Sequence, residues 1–147
     1  MYTFLSDSKP RSSNAGNSEK YNQRIQQAFR NYNAKAIQLE GNLYGVVYYF
    51  FIPDREGEPD ADNISKKIWD ALNTIAYLDD KNIKLRIAGV FDLISESIET
   101  LKIPQSALDD FLGMIDEGKE HILYVEIGSL DYISLQKKNL KKTVEKI

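Results

Sequence analysis

Length, composition and charge predict a folded single-domain protein and exclude several classes of site. The 147 residues, 42% of them hydrophobic, are enough to bury a real core. The chain has no Cys, which excludes disulfides and thiolate metal sites, and its one His excludes His-rich zinc sites and most catalytic triads. The net charge of −3 is uneven, because residues 1–36 and 136–147 each carry +4 while residues 92–135 carry −8. Two basic ends permit an anionic partner without demanding one.

The start of the chain and its apolar runs predict a cytoplasmic protein that does not contact membranes. The first residues, MYTFLSDSK, lack the charged head and the apolar run of a signal peptide. The longest apolar run, Leu43–Ile52, has about half the length that a bilayer-spanning helix needs.

The first third of the chain predicts a strand, a loop, a helix and a second strand. A short strand at Tyr2–Leu5 precedes a segment rich in Ser, Asn and Gly, which is typical of a loop. Ser18 is placed to cap the helix, and GVVYYFFIP has the pattern of a central strand that Pro53 ends. The apolar residues at helical spacing are Tyr21, Ile25, Ala28, Phe29 and Tyr32.

A second helix and a third strand are predicted in the middle of the chain. Asp62 or Asn63 suits the N-cap of a helix that continues to about Ala76. Its predicted core-facing residues are Ile64, Ile68, Ala71, Leu72 and Ile75. In NIKLRIAGVF, apolar residues alternate with charged ones, which predicts a half-buried strand. The residues of this strand that we expect to face the core are Ile83, Leu85 and Ile87.

The last third predicts a third helix, a fourth strand and a basic tail. IPQSALDDFLGMIDEG predicts a helix with Pro104 in its first turn and Gly118 past its end, and HILYVEIG predicts a strand. The residues of this helix that we expect to face the core are Leu108, Phe111, Leu112 and Ile115. SLQKKNLKKTVEKI predicts a basic amphipathic helix. We therefore expect an α+β fold, a small mixed β-sheet packed by helices, with a domain at residues 1–135 and a basic C-terminal tail at 136–147.

Carboxylates gather at both ends of the second predicted helix, in PDADNISKKIWDAL and in YLDD. Asp60 and Asp62 stand at its start, and Asp79 and Asp80 follow its end. If the two strands that flank the helix lie side by side, we expect these carboxylates to approach each other. Three carboxylates about 5 Å apart repel by roughly 3 kcal/mol per pair at an effective dielectric of about 20. A divalent cation reverses that sign, and oxygen ligands without His or Cys select Mg²⁺, with Mn²⁺ as a substitute.

Lys66, Asp62 and Asp79 each have a simple structural explanation as well as a catalytic one. A lysine such as Lys66 can neutralise charge that develops on a phosphodiester during metal-assisted hydrolysis. Lys66 with Asp70 is also explained as an exposed ion pair one turn apart. Asp62 taken alone suits an N-cap, and Asp79 taken alone suits a turn. Spacing by itself leaves both explanations open.

The segment PDADNISKKIWDALNTIAYLDDKNIKLRI, Pro59–Ile87, resembles the RusA-type Holliday junction resolvases. The pattern of that family runs D-x-D-N-x-x-K, three residues, D-A-L, and then a D-D pair before an apolar strand. The matching residues, in order, are Asp60, Asp62, Asn63, Lys66, Asp70, Ala71, Leu72, Asp79 and Asp80. Upstream, KPRSSN, Lys9 to Asn14, looks like the basic loop that follows the first strand of the family.

The resemblance implies a reaction and the residues that carry it. It implies that Asp60, Asp62 and Asp80 are metal-binding catalytic residues and that Lys66 assists catalysis. The secondary candidates for metal binding are Asp70 and Asp79. The implied reaction is Mg²⁺-dependent phosphodiester hydrolysis by a homodimer, in which each subunit cuts one strand of a four-way DNA junction during DNA recombination and repair.

Contact with the DNA backbone needs cationic side chains, because phosphate neutralisation supplies most non-specific affinity. The residues that we expect to contact DNA are Lys9, Arg11, Lys20, Arg24 and Lys67, together with Lys66 and the lysine tail. The chain departs from the family in its acidic net charge, its short first strand and an acidic stretch from Asp92 to Gly118. Two other functions stay open: a domain on the same fold that binds DNA or protein without cutting, and another metal-dependent phosphoryl transfer. Nothing resembling a phosphate-cradling Gly loop supports the latter.

Overall fold

A computed structural model describes residues 1–10, 19–53, 60–94 and 103–130, and it contains one four-stranded sheet. The strands are β1 (Tyr2–Ser6), β2 (Leu43–Phe51), β3 (Ile83–Asp92) and β4 (His121–Ser129). Their order across the sheet is β1-β4-β2-β3; β2 and β3 are parallel, whereas β4 is antiparallel to both β1 and β2. The described helices are α1 (Glu19–Tyr32), α2 (Ala61–Ala71) and α3 (Gln105–Asp116). The predicted α+β class with a small mixed sheet is confirmed.

The sheet carries α1 and α2 on one face and α3 on the other. Successive residues of a strand point to opposite faces, so β2 supplies side chains to two cores. Tyr49 and Phe51 pack with the apolar residues of α1 and α2, and those two helices also contact each other. Phe50 packs on Phe111 of α3, with ring centroids 4.7 Å apart. The residues predicted to form the apolar stripe of α1 are confirmed at Tyr21, Ile25 and Phe29, which are buried.

The unit β2–α2–β3 is a parallel crossover, in which the two strands that flank α2 lie side by side. The register pairs Leu43 with Ile83 at one end and Phe51 with Asp92 at the other. We call the end of the sheet that holds Phe51 and Asp92 its carboxyl end, where β1 also finishes and β4 begins at His121. The opposite end, with Leu43 and Ile83, is its amino end. The chain leaves β2 at the carboxyl end and enters β3 at the amino end, so α2 carries it from one end to the other.

The second predicted helix is shorter than expected, because the chain turns after Ala71. Leu72 is the C-cap residue, and Thr74 has a φ of 65°, which breaks the helical path. Ala76, predicted inside the helix, is nevertheless fully buried, because the turn folds it back onto the core. The hydroxyl of Tyr77 donates to the carbonyl of Trp69 at 2.6 Å and satisfies an acceptor in the last turn of α2.

The predicted burial of β3 and α3 is wrong at three positions. Ile83 is buried, but Leu85 and Ile87 are 38% and 43% exposed. The register of β2 with β3 shifts by one residue between Ile83 and Leu85, so Leu85 and Ile87 point to the opposite face of the sheet from Ile83. On α3, Phe111 is buried whereas Leu112 is 47% exposed. The predicted cap Ser18 and the predicted tail helix lie outside the described residues, as do the last residues of the proposed 1–135 domain.

Candidate metal and nucleic-acid site

Asp60 is the N-cap of α2, one position before the helix begins. Its backbone is extended, and its Oδ1 accepts hydrogen bonds from the backbone N–H of Asp62 at 2.9 Å and of Asn63 at 3.3 Å. The sequence suggested Asp62 or Asn63 as the cap, and the structure corrects this, since Asp60 satisfies the orphan N–H groups of the first turn. Asp60 and Asp62 are therefore two exposed carboxylates at the positive end of the helix dipole.

Lys66 lies one helical turn after Asp62, and its side chain is exposed. The predicted exposed ion pair between Lys66 and Asp70 does not form, and among the described residues Lys66 makes no ion pair at all. The neighbouring Lys67 is less exposed and has other interactions. The Lys66 ammonium is thus not neutralised by any carboxylate in the described part of the chain.

Asp79 and Asp80 lie on a tight turn between α2 and β3, a single 3-10 turn at Asp80–Asn82. Asp79 caps this turn, because its Oδ1 accepts from the backbone N–H of Lys81 at 2.9 Å. The N–H of Asp80 donates to Oδ1 of Asn73 at 2.7 Å, which ties the turn to the end of α2. Arg86 on β3 donates from Nη2 to the Asp80 carbonyl at 2.7 Å, and the same Nη2 lies 3.7 Å from Oδ2 of Asp80. The backbone around Asp80 is therefore held from two sides.

The turn brings the carboxylates of Asp79 and Asp80 close to that of Asp70, and the pKa values of Asp79 and Asp80 are shifted. Partial burial raises the pKa of Asp80 first, and a hydrogen bond shared with the side chain of Asp79 and the charge of Asp70 raise it further, against the opposing charge of Arg86. The backbone N–H of Lys81 lowers the pKa of Asp79. The negative charge on Asp80 is thus unfavourable as it stands, and a bound cation would relieve it.

The two groups of carboxylates lie at opposite ends of α2. An α-helix rises about 1.5 Å per residue, so the 11 residues of α2 span about 16 Å between the Asp60 end and the Asp70 end. Asp80 lies near Asp70, and not near Asp60 or Asp62. Among the described residues, no group of three or more His, Asp or Glu side chains is placed to hold a metal ion. The described carboxylates of one chain are therefore not grouped as ligands for Mg²⁺.

The physical reason is the direction that the sheet topology imposes on α2. Flanking strands that are parallel and side by side require the helix between them to run from the carboxyl end of the sheet to the amino end. That arrangement separates the start of α2 from its end by the full helix length. Side-by-side strands are confirmed, but the approach of Asp60 to Asp80 within one chain does not follow from them.

Two of the predicted DNA-contacting residues lie together. Lys9, just after β1, and Arg24 on α1 line one open cleft of about 890 Å³ at the carboxyl end of the sheet. Lys20 is exposed in the first turn of α1, and Lys67 lies on α2. Arg11 is outside the described residues. Lys9 and Arg24 are therefore the two predicted DNA-contacting residues that share one cleft in the described part of the chain.

The sequence analysis missed several residues that shape these sites. Lys119 and His121 line the same cleft as Lys9, but they follow α3, more than 100 residues later in the chain, so no local pattern connects them. Asn73 and Arg86 hold the turn at Asp80. The sequence analysis treated Arg86 only as a charged residue in an alternating strand. Its position six residues after Asp80, with a turn between them, could have indicated that the two side chains meet.

The sequence profile of the family described as endodeoxyribonuclease RusA matches residues 6–97, more than half of the chain. The chain belongs to the RusA family. RusA-family proteins are Holliday junction resolvases that act on branched DNA. The matched range contains all nine matching residues of the motif, from Asp60 to Asp80. It ends before α3, so α3 and β4 lie outside the RusA match.

No curated protein sequence matches this RusA-family chain. None of the helices in the described ranges has the length and apolar character needed to cross a membrane.

Proposed function

We propose that this RusA-family chain is a metal-dependent endodeoxyribonuclease that resolves four-way DNA junctions by paired phosphodiester hydrolysis. The observation that carries the proposal is the RusA match across the whole D-x-D…K…D-D motif. In the structure the side chains of this motif reach solvent, and hydrogen bonds hold the backbone next to Asp60 and at Asp80. Asp60 is aligned by two backbone N–H groups, and Asp80 is aligned by the tether of its own N–H to Asn73. Pre-aligned oxygen ligands favour binding of a hard cation.

The separation of the carboxylates within one chain supports a homodimer in which two chains complete each site. If two copies pack so that their α2 helices run antiparallel across a two-fold axis, Asp60 and Asp62 of one copy meet Asp80 of the second copy. The same symmetry forms a second, identical site about one helix length away, roughly 16 Å. Leu78, next to Asp79, is 69% exposed, and Ile37, on the segment that pairs with the same turn, is 77% exposed. Exposed apolar side chains next to the turn that carries Asp80 are typical of a surface that a partner covers.

Each residue then has a defined task in the proposed reaction. Asp60 and Asp62 of one copy, with Asp80 and Asp79 of the second, would hold Mg²⁺, with Mn²⁺ as a substitute. The chemistry that such an ion supplies when bound is Lewis-acid activation of the phosphodiester and of the attacking water. Lys66, on the same side of α2 as Asp62, offers an un-neutralised ammonium for the charge that develops on the phosphate oxygens. Arg86 and Asn73 keep the turn that presents Asp80 in one conformation.

The proposal is tested by incubating the purified protein with a synthetic four-way junction and Mg²⁺. We expect paired nicks from the wild type and at least about a 100-fold loss with Asp60→Asn or Asp80→Asn, since removing a ligand costs no less than removing its supporting hydrogen bonds. Asp109→Asn, an exposed change of the same kind on α3, is the matched control and should cut normally. A folded wild type that cuts neither with Mg²⁺ nor with Mn²⁺ would overturn the proposal.

The alternative is a domain of the same fold that binds DNA or a protein without cutting. The divided carboxylates favour this alternative if the chain stays monomeric, because no complete metal site then exists among the described residues. Junction binding that survives Asp60→Asn and Asp80→Asn, together with no cleavage by the wild type, would select it.

A further inference from the structure

The open cleft at the carboxyl end of the sheet lies between α1 and the turn that joins α3 to β4. Its volume is about 890 Å³, within the range of small-ligand sites, and it is open to solvent. Cationic side chains approach it from three separate parts of the chain: Lys9 after β1, Arg24 on α1 and Lys119 before β4. Only the first two were expected from the sequence, and Lys119 lies outside the RusA match. We call this site the carboxyl-end cleft.

Lys119 already forms an ion pair with a carboxylate of the same chain. Oδ2 of Asp7, which also borders the carboxyl-end cleft, lies 3.1 Å from Nζ of Lys119. The two side chains are 49% and 39% exposed, so water and other anions can compete for the pair. The hydrogen bond and charge of Asp7 raise the pKa of Lys119, which keeps the ammonium charged. The Asp7 carboxylate marks where an external anion would bind Lys119.

Arg24 and His121 are the other two groups that a phosphate in the cleft would contact, and their surroundings differ. Arg24 is exposed and makes no hydrogen bond or ion pair with any described residue. The Nδ1 atom of His121 lies 2.6 Å from the Tyr49 hydroxyl, and the two rings stack with centroids 6.0 Å apart. This contact engages Nδ1 and orients the imidazole, which lines the carboxyl-end cleft. A guanidinium and an oriented imidazole suit phosphate oxygens.

We propose that the carboxyl-end cleft binds a backbone phosphate of DNA, and that the Asp7 carboxylate occupies the Lys119 position of this cleft when DNA is absent. The proposal rests on the proposed function for its ligand class, since the chain must contact DNA. The start of α2, with Asp60, follows β2 from the same end of the sheet, so a strand that reaches Asp60 can continue across the cleft. Asp7 is then a built-in competitor, and its removal should tighten binding.

The test measures binding of a fluorescent four-way junction by anisotropy over a range of salt concentrations. All variants carry Asp80→Asn and are studied without divalent cations, so that the DNA stays intact. We expect Arg24→Gln to weaken binding and to reduce the slope of log K against log [salt] by about 0.9, the value for one lost phosphate contact. We expect Asp7→Asn to strengthen binding and to increase the slope by a similar amount. His121→Ala should weaken binding at every salt concentration.

Two control variants separate local from global charge. Arg30→Gln removes one positive charge from α1 outside the carboxyl-end cleft, and Glu40→Gln removes one negative charge near the amino end of the sheet. Both should leave the salt slope unchanged. Equal effects of Arg24→Gln and Arg30→Gln, or an Asp7→Asn variant that keeps its thermal stability and binds no tighter than Glu40→Gln, would overturn the proposal.

The outcomes also separate this proposal from the proposed function. If the wild type cuts junctions and the cleft variants bind like their controls, the cleft assignment fails and the nuclease stands. If the cleft variants shift as expected and the wild type never cuts, the nuclease fails and the cleft stands. A wild type that does not bind junction DNA at low salt overturns both.

Discussion

The division of the carboxylates between the two ends of α2 makes a prediction about mixed dimers. Ligand oxygens bind Mg²⁺ at about 2.1 Å, so the carboxylates that share one ion must lie within a few ångströms of each other. The Asp60 end and the Asp80 end of one chain are separated by about 16 Å of helix. No side-chain rotation covers that gap, since an Asp carboxylate reaches only a few ångströms from its backbone.

The perturbation is to mix Asp60→Asn chains with Asp80→Asn chains, each inactive alone. In a mixed dimer with shared sites, one site contains both substitutions and the other contains none, so one site is restored. Random exchange makes half of the dimers mixed, and about a quarter of all sites then regain activity. If each site belonged to one chain, every site in the mixture would carry a substitution and nothing would be restored.

The assay is cleavage of a labelled four-way junction after the two variants are unfolded, mixed and refolded together. The control is a mixture of Asp60→Asn with Asp62→Asn, which lie at the same end of α2, so that both shared sites stay broken. We expect nicking from the first mixture at about a quarter of the wild-type rate, and none from the control. An inactive first mixture in which mixed dimers are demonstrated would refute the shared-site reasoning.

Three further predictions concern the core and the tyrosines. Tyr77→Phe removes a 2.6 Å hydrogen bond to the buried Trp69 carbonyl and should lower the free energy of unfolding by about 1–3 kcal/mol in urea titrations. Gly45→Ala places a Cβ 2.6 Å from Cη2 of the fully buried Trp69 ring, and overpacking should cost about 1–3 kcal/mol in the same assay. Burial, followed by the hydrogen bond to Asp110, raises the pKa of Tyr32 to about 12, so the ultraviolet titration difference between wild type and Tyr32→Phe should appear near pH 12 and not near 10.

These three predictions have separate controls. Tyr32→Phe also removes a tyrosine hydroxyl, but its partner Asp110 is exposed, so it should destabilise the protein less than Tyr77→Phe does. Gly113→Ala adds a Cβ with no neighbour within 4 Å on an α-helix and should stabilise it. Equal losses of unfolding free energy in the two tyrosine variants would contradict the role of the Tyr77–Trp69 hydrogen bond. A Gly45→Ala protein of unchanged stability would contradict the close packing of Gly45 on Trp69, and a Tyr32 titration step at pH 10 would contradict the effect of burial and Asp110.

Local patterns in the sequence predicted the elements well and the contacts between them poorly. Apolar residues at helical spacing located α1, and the β-branched and aromatic run located β2, because both patterns are set by the period of the element itself. The exposure of Leu85 and Ile87 was not predictable, because it depends on the shift in the register between β2 and β3. The meeting of Lys119 with Asp7 depends in the same way on the order of strands, which no local period contains.

The candidate site shows the same limit in a sharper form. The resemblance to the RusA family singled out Asp60, Asp62 and Asp80, which lie within the range that the family profile matches. The inference that these residues meet needed the direction of α2 as well as the adjacency of β2 and β3. Parallel strands fix that direction, so the observed topology argues against a site that joins Asp60 and Asp80 of one chain.

The proposed sharing of sites gives the paired cuts a structural origin. A site that needs Asp60 from one copy and Asp80 from another does not exist in a monomer, so hydrolysis would begin only when two chains are joined. The two-fold symmetry that completes the first site completes the second at the same moment, since each copy contributes to both. A four-way junction offers two equivalent strands, and a dimer whose sites form together presents two cutting centres at a fixed separation of about one helix length. The separation of Asp60 from Asp80 along α2 would thus be the feature that links cleavage to the dimer.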